Sequence, residues 1–205
     1  MYDNILTQNR KLKKTSKLAQ RRVLNFGIPA YKSETGKVTC PFADECIKYC
    51  YARKGSFRWP NTINAYEKRF RIARSPDFES IMNAALLVKN PHFVRVHDSG
   101  DYFSEKYMDR WFSIMRANTG IKFYSYTNSV LLMKHYDGET PENFDIIFST
   151  DGKQREHVDK STDRHAVIFK TVEELESAGY VNASDNDLLA TRWYSDNKKV
   201  GLIKH

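Results

Sequence analysis

Cys40, Cys46 and Cys50 are all the cysteines of the chain, and they share one short stretch, Cys40-Pro-Phe-Ala-Asp-Glu-Cys46-Ile-Lys-Tyr-Cys50. Each gap of this C-x5-C-x3-C pattern is long enough to turn the chain and too short to let it wander, so three soft thiolates can close on one metal centre. The odd count argues against a paired disulfide framework, and it leaves one position of a four-ligand site to be filled from elsewhere. Three readings of the loop stand. A [4Fe-4S] cluster held by three cysteines suits the ligand type and the count. Structural zinc would take a fourth ligand from the six histidines, but the usual C-x2-C knuckles are absent. Unliganded thiols remain possible, although core packing explains three cysteines in so polar a loop poorly.

A second set of polar residues falls where apolar runs stop: His97, Asp98, Ser99 and Asp101; Tyr126, Thr127, Asn128 and Ser129; Ser149, Thr150 and Asp151; Lys170 and Thr171. Histidine and carboxylate are both competent iron ligands, so His97, Asp98 and Asp101 are the candidates for the fourth position. Asp, Ser, Asn and Gly also make turns for purely local reasons, which is the plain alternative at each site. Several strands ending alike point to a shared cavity, in which Tyr126, Asp151 and Lys170 are candidates to position a substrate.

The whole chain must position these groups. Its 205 residues suit a single domain, and 40 % hydrophobic with 28 % charged residues is the balance of a soluble globular protein. No run is apolar enough to span a membrane, so no membrane partner is expected. The first residues, Met1-Tyr-Asp-Asn-Ile-Leu, lack a secretory core, which places the expectation in the cytoplasm, where thiols stay reduced. A net charge of +8 permits attraction to anions. Basic residues flank the cysteines: Lys11, Lys14 and Arg21 before them, and Arg53, Arg58, Arg69 and Arg74 after, interleaved with Phe57, Trp59 and Phe70. The bland reading is a solvated face; the sharper one is a nucleic-acid surface with stacking aromatics.

Residues 1–22 read as a basic arm or short helix, and 23–205 as one domain. Val23-Leu-Asn-Phe26 is a short apolar run, Ser33-Glu-Thr-Gly36 a turn, and a helix is predicted from about Thr62 with Ile63, Tyr66, Phe70 and Ala73 on one side. Ser75-Pro76-Asp77 reads as a serine-capped helix start, with Ile81, Ala84, Ala85 and Val88 as the buried stripe and Asn90-Pro91 as the stop. Phe93–His97 is a predicted strand, Ser104 the cap of a helix burying Met108, Trp111, Phe112 and Met115. Residues 121–126, 144–149, 166–169 and 199–203 are further strands, with short helices at 130–136 and after Thr171. Strands alternating with helices at this pace imply parallel pairing through crossovers. The fold class is α/β, a partial or complete (β/α) TIM-like barrel preferred over an open doubly wound sheet.

Thr39-Cys-Pro through Cys50-Tyr-Ala, Val94-Arg-Val-His-Asp-Ser-Gly-Asp101, Tyr107, Trp111 and Phe123-Tyr-Ser-Tyr-Thr-Asn-Ser129 together resemble the bacteriophage gene product eighty-eight family, from about Phe26 onward. That family is in turn similar to radical S-adenosylmethionine (SAM) enzymes, in which a loop after the first barrel strand gives three cysteines to a [4Fe-4S] cluster and SAM takes the open iron. The resemblance implies that Cys40, Cys46 and Cys50 are cluster ligands, that Tyr49 lies near the adenine, that Ser99-Gly100-Asp101 holds the methionine amino group, and that Ser129 meets the ribose or carboxylate. It departs in three ways: those enzymes mostly use C-x3-C-x2-C, Asp101 stands where they carry Glu, and the chain is short for a barrel plus a substrate domain. It also implies a phage protein working in the host cytoplasm, with a small-molecule substrate or a reductant as partner. From another class, the competing functions are a non-catalytic iron–sulfur protein closed by a side chain, serving electron transfer, redox sensing or structure, and a basic nucleic-acid-binding module with a structural metal. Substrate and oligomeric state are not written in the sequence.

Overall fold

The computed structural model describes residues 4–204. Residues 1–3 of the predicted arm and residue 205 lie outside the described residues. Seven parallel strands form one curled, half-barrel sheet in the order β1-β2-β3-β4-β5-β7-β6. They are β1 (Val23–Phe26), β2 (Phe93–Val96), β3 (Lys122–Thr127), β4 (Phe144–Ser149), β5 (His165–Phe169), β6 (Val181–Asn182) and β7 (Lys199–Ile203). Five strands placed side by side in chain order mean that successive crossovers advance the same way, as in a barrel, with no reversal of the kind a doubly wound sheet requires. The barrel is partial. Among the described residues β1 and β6 each pair with one strand only, and the outer edge of β1 is met by Thr7, which exchanges backbone hydrogen bonds of 2.9 and 2.8 Å with Asn25.

The helices are α1 (Arg10–Ala19), α2 (Cys46–Tyr49), α3 (Pro60–Arg74), α4 (Phe78–Lys89), α5 (Glu105–Ala117), α6 (Val130–Lys134) and α7 (Val172–Ser177). Strand alternation sorts the core into two layers. Phe26, Val94, Val96, Phe123, Phe144 and Phe148 face one way, against Phe78 and Met82 of α4 and Met108, Trp111, Phe112 and Met115 of α5. Val23, Phe93, Tyr124, Ile147, Ala166 and Val200 face the other, where Leu12 of α1 and Leu188 close over them. The concave face is thus covered by α1 and the turn Asp187–Ala190 rather than by an eighth strand.

Most elements sit where the periodicity puts them. Ser104 caps α5, its hydroxyl accepting from the Tyr107 N–H, and Thr171 caps α7 through Glu174 N–H. Asn90 ends α4 in the left-handed conformation at φ 42°. The start of α4 differs from expectation. Ser75 closes α3 instead, with its hydroxyl donating to Ile72 O, and Asp77 precedes α4 without a side-chain cap. The buried stripe is Phe78, Met82, Ala85 and Leu86, leaving Val88 66 % exposed, because Phe78 is a larger anchor than any residue of the predicted stripe. Strand β6, only two residues long, has too little pattern to be read from sequence.

Candidate metal and substrate site

The cysteine loop follows β1 and is anchored before it reaches the first thiol. Thr39, fully buried, donates its hydroxyl to Pro29 O at 2.6 Å and its N–H to Tyr31 O at 2.9 Å. Tyr31, at φ 64°, donates its own N–H to Cys40 Sγ at 3.3 Å. The single turn of α2 then carries the chain from Cys46 toward Cys50, four residues on, the spacing that returns to one helical face. Lys153 N–H, donating to Phe42 O at 2.8 Å, ties the loop to the segment after β4.

The segment after β2 is built against this loop. His97, at φ 66°, and Asp98 both donate N–H to Phe26 O, which turns the chain sharply at the strand end. Ser99 O accepts from Ile28 N–H, and Asp101 N–H donates to Thr39 O at 3.0 Å, so the two loops are laced together. Gly100 lies at φ 81° with Ile28 packed where a Cβ would project, a position only glycine fills comfortably. The Asp101 carboxylate accepts from Thr127 Oγ1 at 2.6 Å, Tyr102 N–H at 2.8 Å and Asn128 N–H at 2.9 Å, joining the ends of β2 and β3. Burial nevertheless raises it to about 6.

Burial works against ionisation of all three thiols. All three are free and only partly exposed. Burial pushes Cys40 up to about 12, with the charges of Asp101, Cys50 and Cys46 adding to it. Cys46 is pushed to about 11 by burial, then by Asp151, Cys50 and Asp101. Burial raises Cys50 as well, with Arg53 pulling the other way. Three thiolates and two carboxylates that penalise one another fit a positively charged centre, which would deprotonate the thiols and offset the repulsion. Among the described residues no group of three His, Cys, Asp or Glu side chains is arranged to hold a metal ion.

Beside the loop lies a cavity of about 430 Å³, of metabolite size. Of the expected strand-end residues, Asn128, Ser149 and Asp151 share it: Cys46, Tyr49, Cys50 and Tyr51 come from the loop after β1, Arg95 from β2, Asn128 from just after β3, Ser149 from the end of β4 and Asp151 from just after it, Ile168 from β5, Leu202 and Ile203 from β7, and Lys204 from just after it. Tyr49 donates its hydroxyl to Asp151 Oδ2 at 2.5 Å, while Asp151 Oδ1 and Asn128 Oδ1 are buried without a partner among the described residues. Asn128 reaches Cys46 Sγ with its amide at 3.9 Å and lies against Gly152, where a Cβ would collide with it.

Of the three residues expected as a possible fourth ligand, Asp101 is the one whose charge acts on the thiols, at Cys40 and Cys46. His97 turns into the helix-side core: its Nε2 meets Tyr107 OH at 2.9 Å, Tyr102 and Trp111 pack around it, and burial lowers it to about 3, keeping it neutral. Asp98 accepts from Tyr66 OH at 3.0 Å and Asn9 Nδ2 at 3.2 Å, and its carbonyl takes the Tyr51 hydroxyl. Ser99 lines a smaller cavity of about 240 Å³ rather than the larger one. Ser129 is fully buried, donating its hydroxyl to Tyr102 O. Lys170 stands at the end of β5 and lines neither cavity; Tyr126 points its hydroxyl at Asp187.

Asn9, Arg10, Lys11 and Arg95 also line the large cavity; Lys11 was expected on a solvated basic face or a nucleic-acid surface, not here. Asp187, 0 % exposed, gathers two of them with a pair of tyrosines: Oδ1 accepts from Lys11 Nζ at 2.5 Å and Tyr126 OH at 3.2 Å, and Oδ2 from Tyr124 OH at 2.8 Å and Arg95 Nη1 at 3.1 Å. The hint was available in Tyr124 and Tyr126, two hydroxyls at alternate positions and so on one face of β3. The stacking surface expected around the basic residues is not assembled: Phe70 is buried, and Arg69 donates to Gly27 O from a buried position over Tyr66, leaving Trp59 as the one exposed ring of the three named.

The chain matches the family described as Gene product 88 over residues 4–205. It belongs to the gene product 88 family. Two relatives are the Gene 88 protein of Mycobacterium phage L5, 26 % identical over 139 residues, and that of Mycobacterium phage D29, 25 % identical over 139 residues. Each match covers 62 % of this chain and 56 % of the relative, so the chain aligns with little more than half the length of these phage proteins. No solved structure matches it. No helix among the described residues is long and apolar enough to cross a membrane.

Proposed function

We propose that this gene product 88 protein is phage-encoded and holds a [4Fe-4S] cluster through Cys40, Cys46 and Cys50 at the mouth of its half-barrel, in the manner of the radical SAM core. The observation that carries the reading is the set of three free, mutually repelling thiols, with Asp101 and Asp151 among the charges acting on them, beside a cavity at the C-terminal ends of parallel strands. Such a cluster, when bound, supplies one-electron reduction of SAM and thereby radical chemistry on a substrate. The chain's own part is positioning. Tyr49, Asn128 and Asp151 line the cavity, while the Ser99-Gly100-Asp101 turn and Ser129 hold the strand ends that carry them.

A second reading, a non-catalytic cluster, is favoured by Asp101, whose buried carboxylate acts on two of the three thiols. One experiment separates the two: iron and sulfide content of protein purified without oxygen, with electron paramagnetic resonance of the dithionite-reduced sample before and after SAM. About four irons and a signal that moves with SAM support the radical reading. The same iron with an unmoved signal, restored to SAM sensitivity in Asp101→Ala, supports the closed cluster. Zinc without iron overturns both.

A further inference from the structure

We propose that the large cavity contains an anion subsite, built on Arg95 and Lys11, that takes the carboxylate or phosphate of a small-molecule substrate. Arg95 is 8 % exposed and lines the cavity from β2. Its Nη1 is held by Asp187, yet its Nε is buried with no partner among the described residues. A guanidinium presents its N–H groups as a planar fork made for a two-oxygen anion, and here half of that fork is unused.

The charge balance points the same way. Lys11 and Arg95 share the single carboxylate of Asp187, which leaves the trio net cationic. Arg10 and Lys204 line the same cavity, whose other charged lining group, apart from the thiols, is Asp151 beneath Tyr49. Cys46 and Cys50 line the same cavity as Lys11 and Arg95, which sets the cationic group beside the cysteine loop. Cations beside a cavity with low-dielectric walls concentrate anions of matching size. At about 430 Å³ the space admits a metabolite and not a polymer, so a free phosphate or carboxylate ligand is favoured over a nucleic acid backbone.

The role as a substrate subsite rests on the proposed cluster at the same cavity; the anion binding does not, and is measured independently of iron content. Inorganic phosphate and succinate are titrated calorimetrically into protein purified without oxygen, whether or not it carries iron. Saturable binding is expected, weakened roughly tenfold in Arg95→Lys, which keeps the ion pair to Asp187 but loses the fork, and roughly threefold in Lys204→Gln, with the thermal midpoint of both variants near wild type. Should Arg95→Lys fail to fold, Arg10→Gln combined with Lys204→Gln reads the same loss away from Asp187. Absence of saturable binding to either probe on folded protein overturns the proposal, as does unchanged affinity in the variants. Displacement of both probes by SAM would reassign the cations to that molecule's carboxylate and overturn the substrate role; unchanged probe affinity at saturating SAM supports it.

Discussion

Replacing Asp187 by asparagine tests how the concave face is held together. The side chain is inaccessible to solvent and accepts four side-chain donors, two on each oxygen. Asparagine keeps the shape but accepts on one atom only, so one donor pair faces an amide N–H and both cations lose their counter-charge. Leaving a buried charge unpaired costs about 3–5 kcal/mol, a large part of the roughly 5–15 kcal/mol that a domain has. Urea unfolding followed by tryptophan fluorescence at pH 7 reads this directly, and a triple change of Lys11, Arg95 and Asp187 to apolar residues should recover most of the loss, because no charge is then stranded. The pH dependence has a definite sign. Burial alone would raise Asp187, but Arg95 and Lys11 outweigh it and hold the carboxyl well below the ordinary 3.8. Its contribution is therefore present above about pH 4 and drains away as pH falls toward the lowered value, so the gap between wild type and Asp187→Asn narrows in acid. A cost under about 1 kcal/mol at pH 7 would refute the claim that this carboxylate holds α1 to the sheet.

Two further outcomes are expected. His97, lowered by burial from 6.5 to about 3, stays neutral in the folded chain, so stability falls as pH drops from 6.5 toward 3, by up to about 4–5 kcal/mol; His97→Asn, which suits the left-handed backbone, should flatten the urea midpoint across that window, and an unchanged slope would exclude His97 as its source. With Cys40 near 12 and Cys46 near 11 against an ordinary 9.0, iron-free folded protein should be alkylated by iodoacetamide at pH 8 on the order of a hundredfold more slowly at these two positions than urea-unfolded chain, and comparable rates would show that the thiols are not buried as described.

The cysteine loop and the alternation of strands and helices were legible because they are local: spacing, caps and apolar periodicity act within a few residues. Ser104, Thr171 and Asn90 performed as capping chemistry predicts. Ser75 did not, because the large apolar side chain of Phe78 set the phase of α4 more firmly than a serine could. Asp187 escaped notice for a different reason. It lies 176 residues from Lys11 and 92 from Arg95, and a partnership over such separations leaves no mark in any short window. His97 shows the converse limit: its sequence context is that of a ligand, and a positive φ turns it into aromatic company on the far layer.

The position of β7 between β5 and β6 sets a timetable for synthesis. As the chain leaves the ribosome, β1 to β5 can assemble in the order they appear, each against its predecessor. β6 cannot, since its only partner in the sheet, β7, lies seventeen residues beyond it. Until residues 199–203 arrive, the cavity lacks Leu202, Ile203 and Lys204, and the far rim of the half-barrel hangs unpaired. The cysteine loop is therefore made long before the last strand, which finishes the cavity wall beside Cys46 and Cys50.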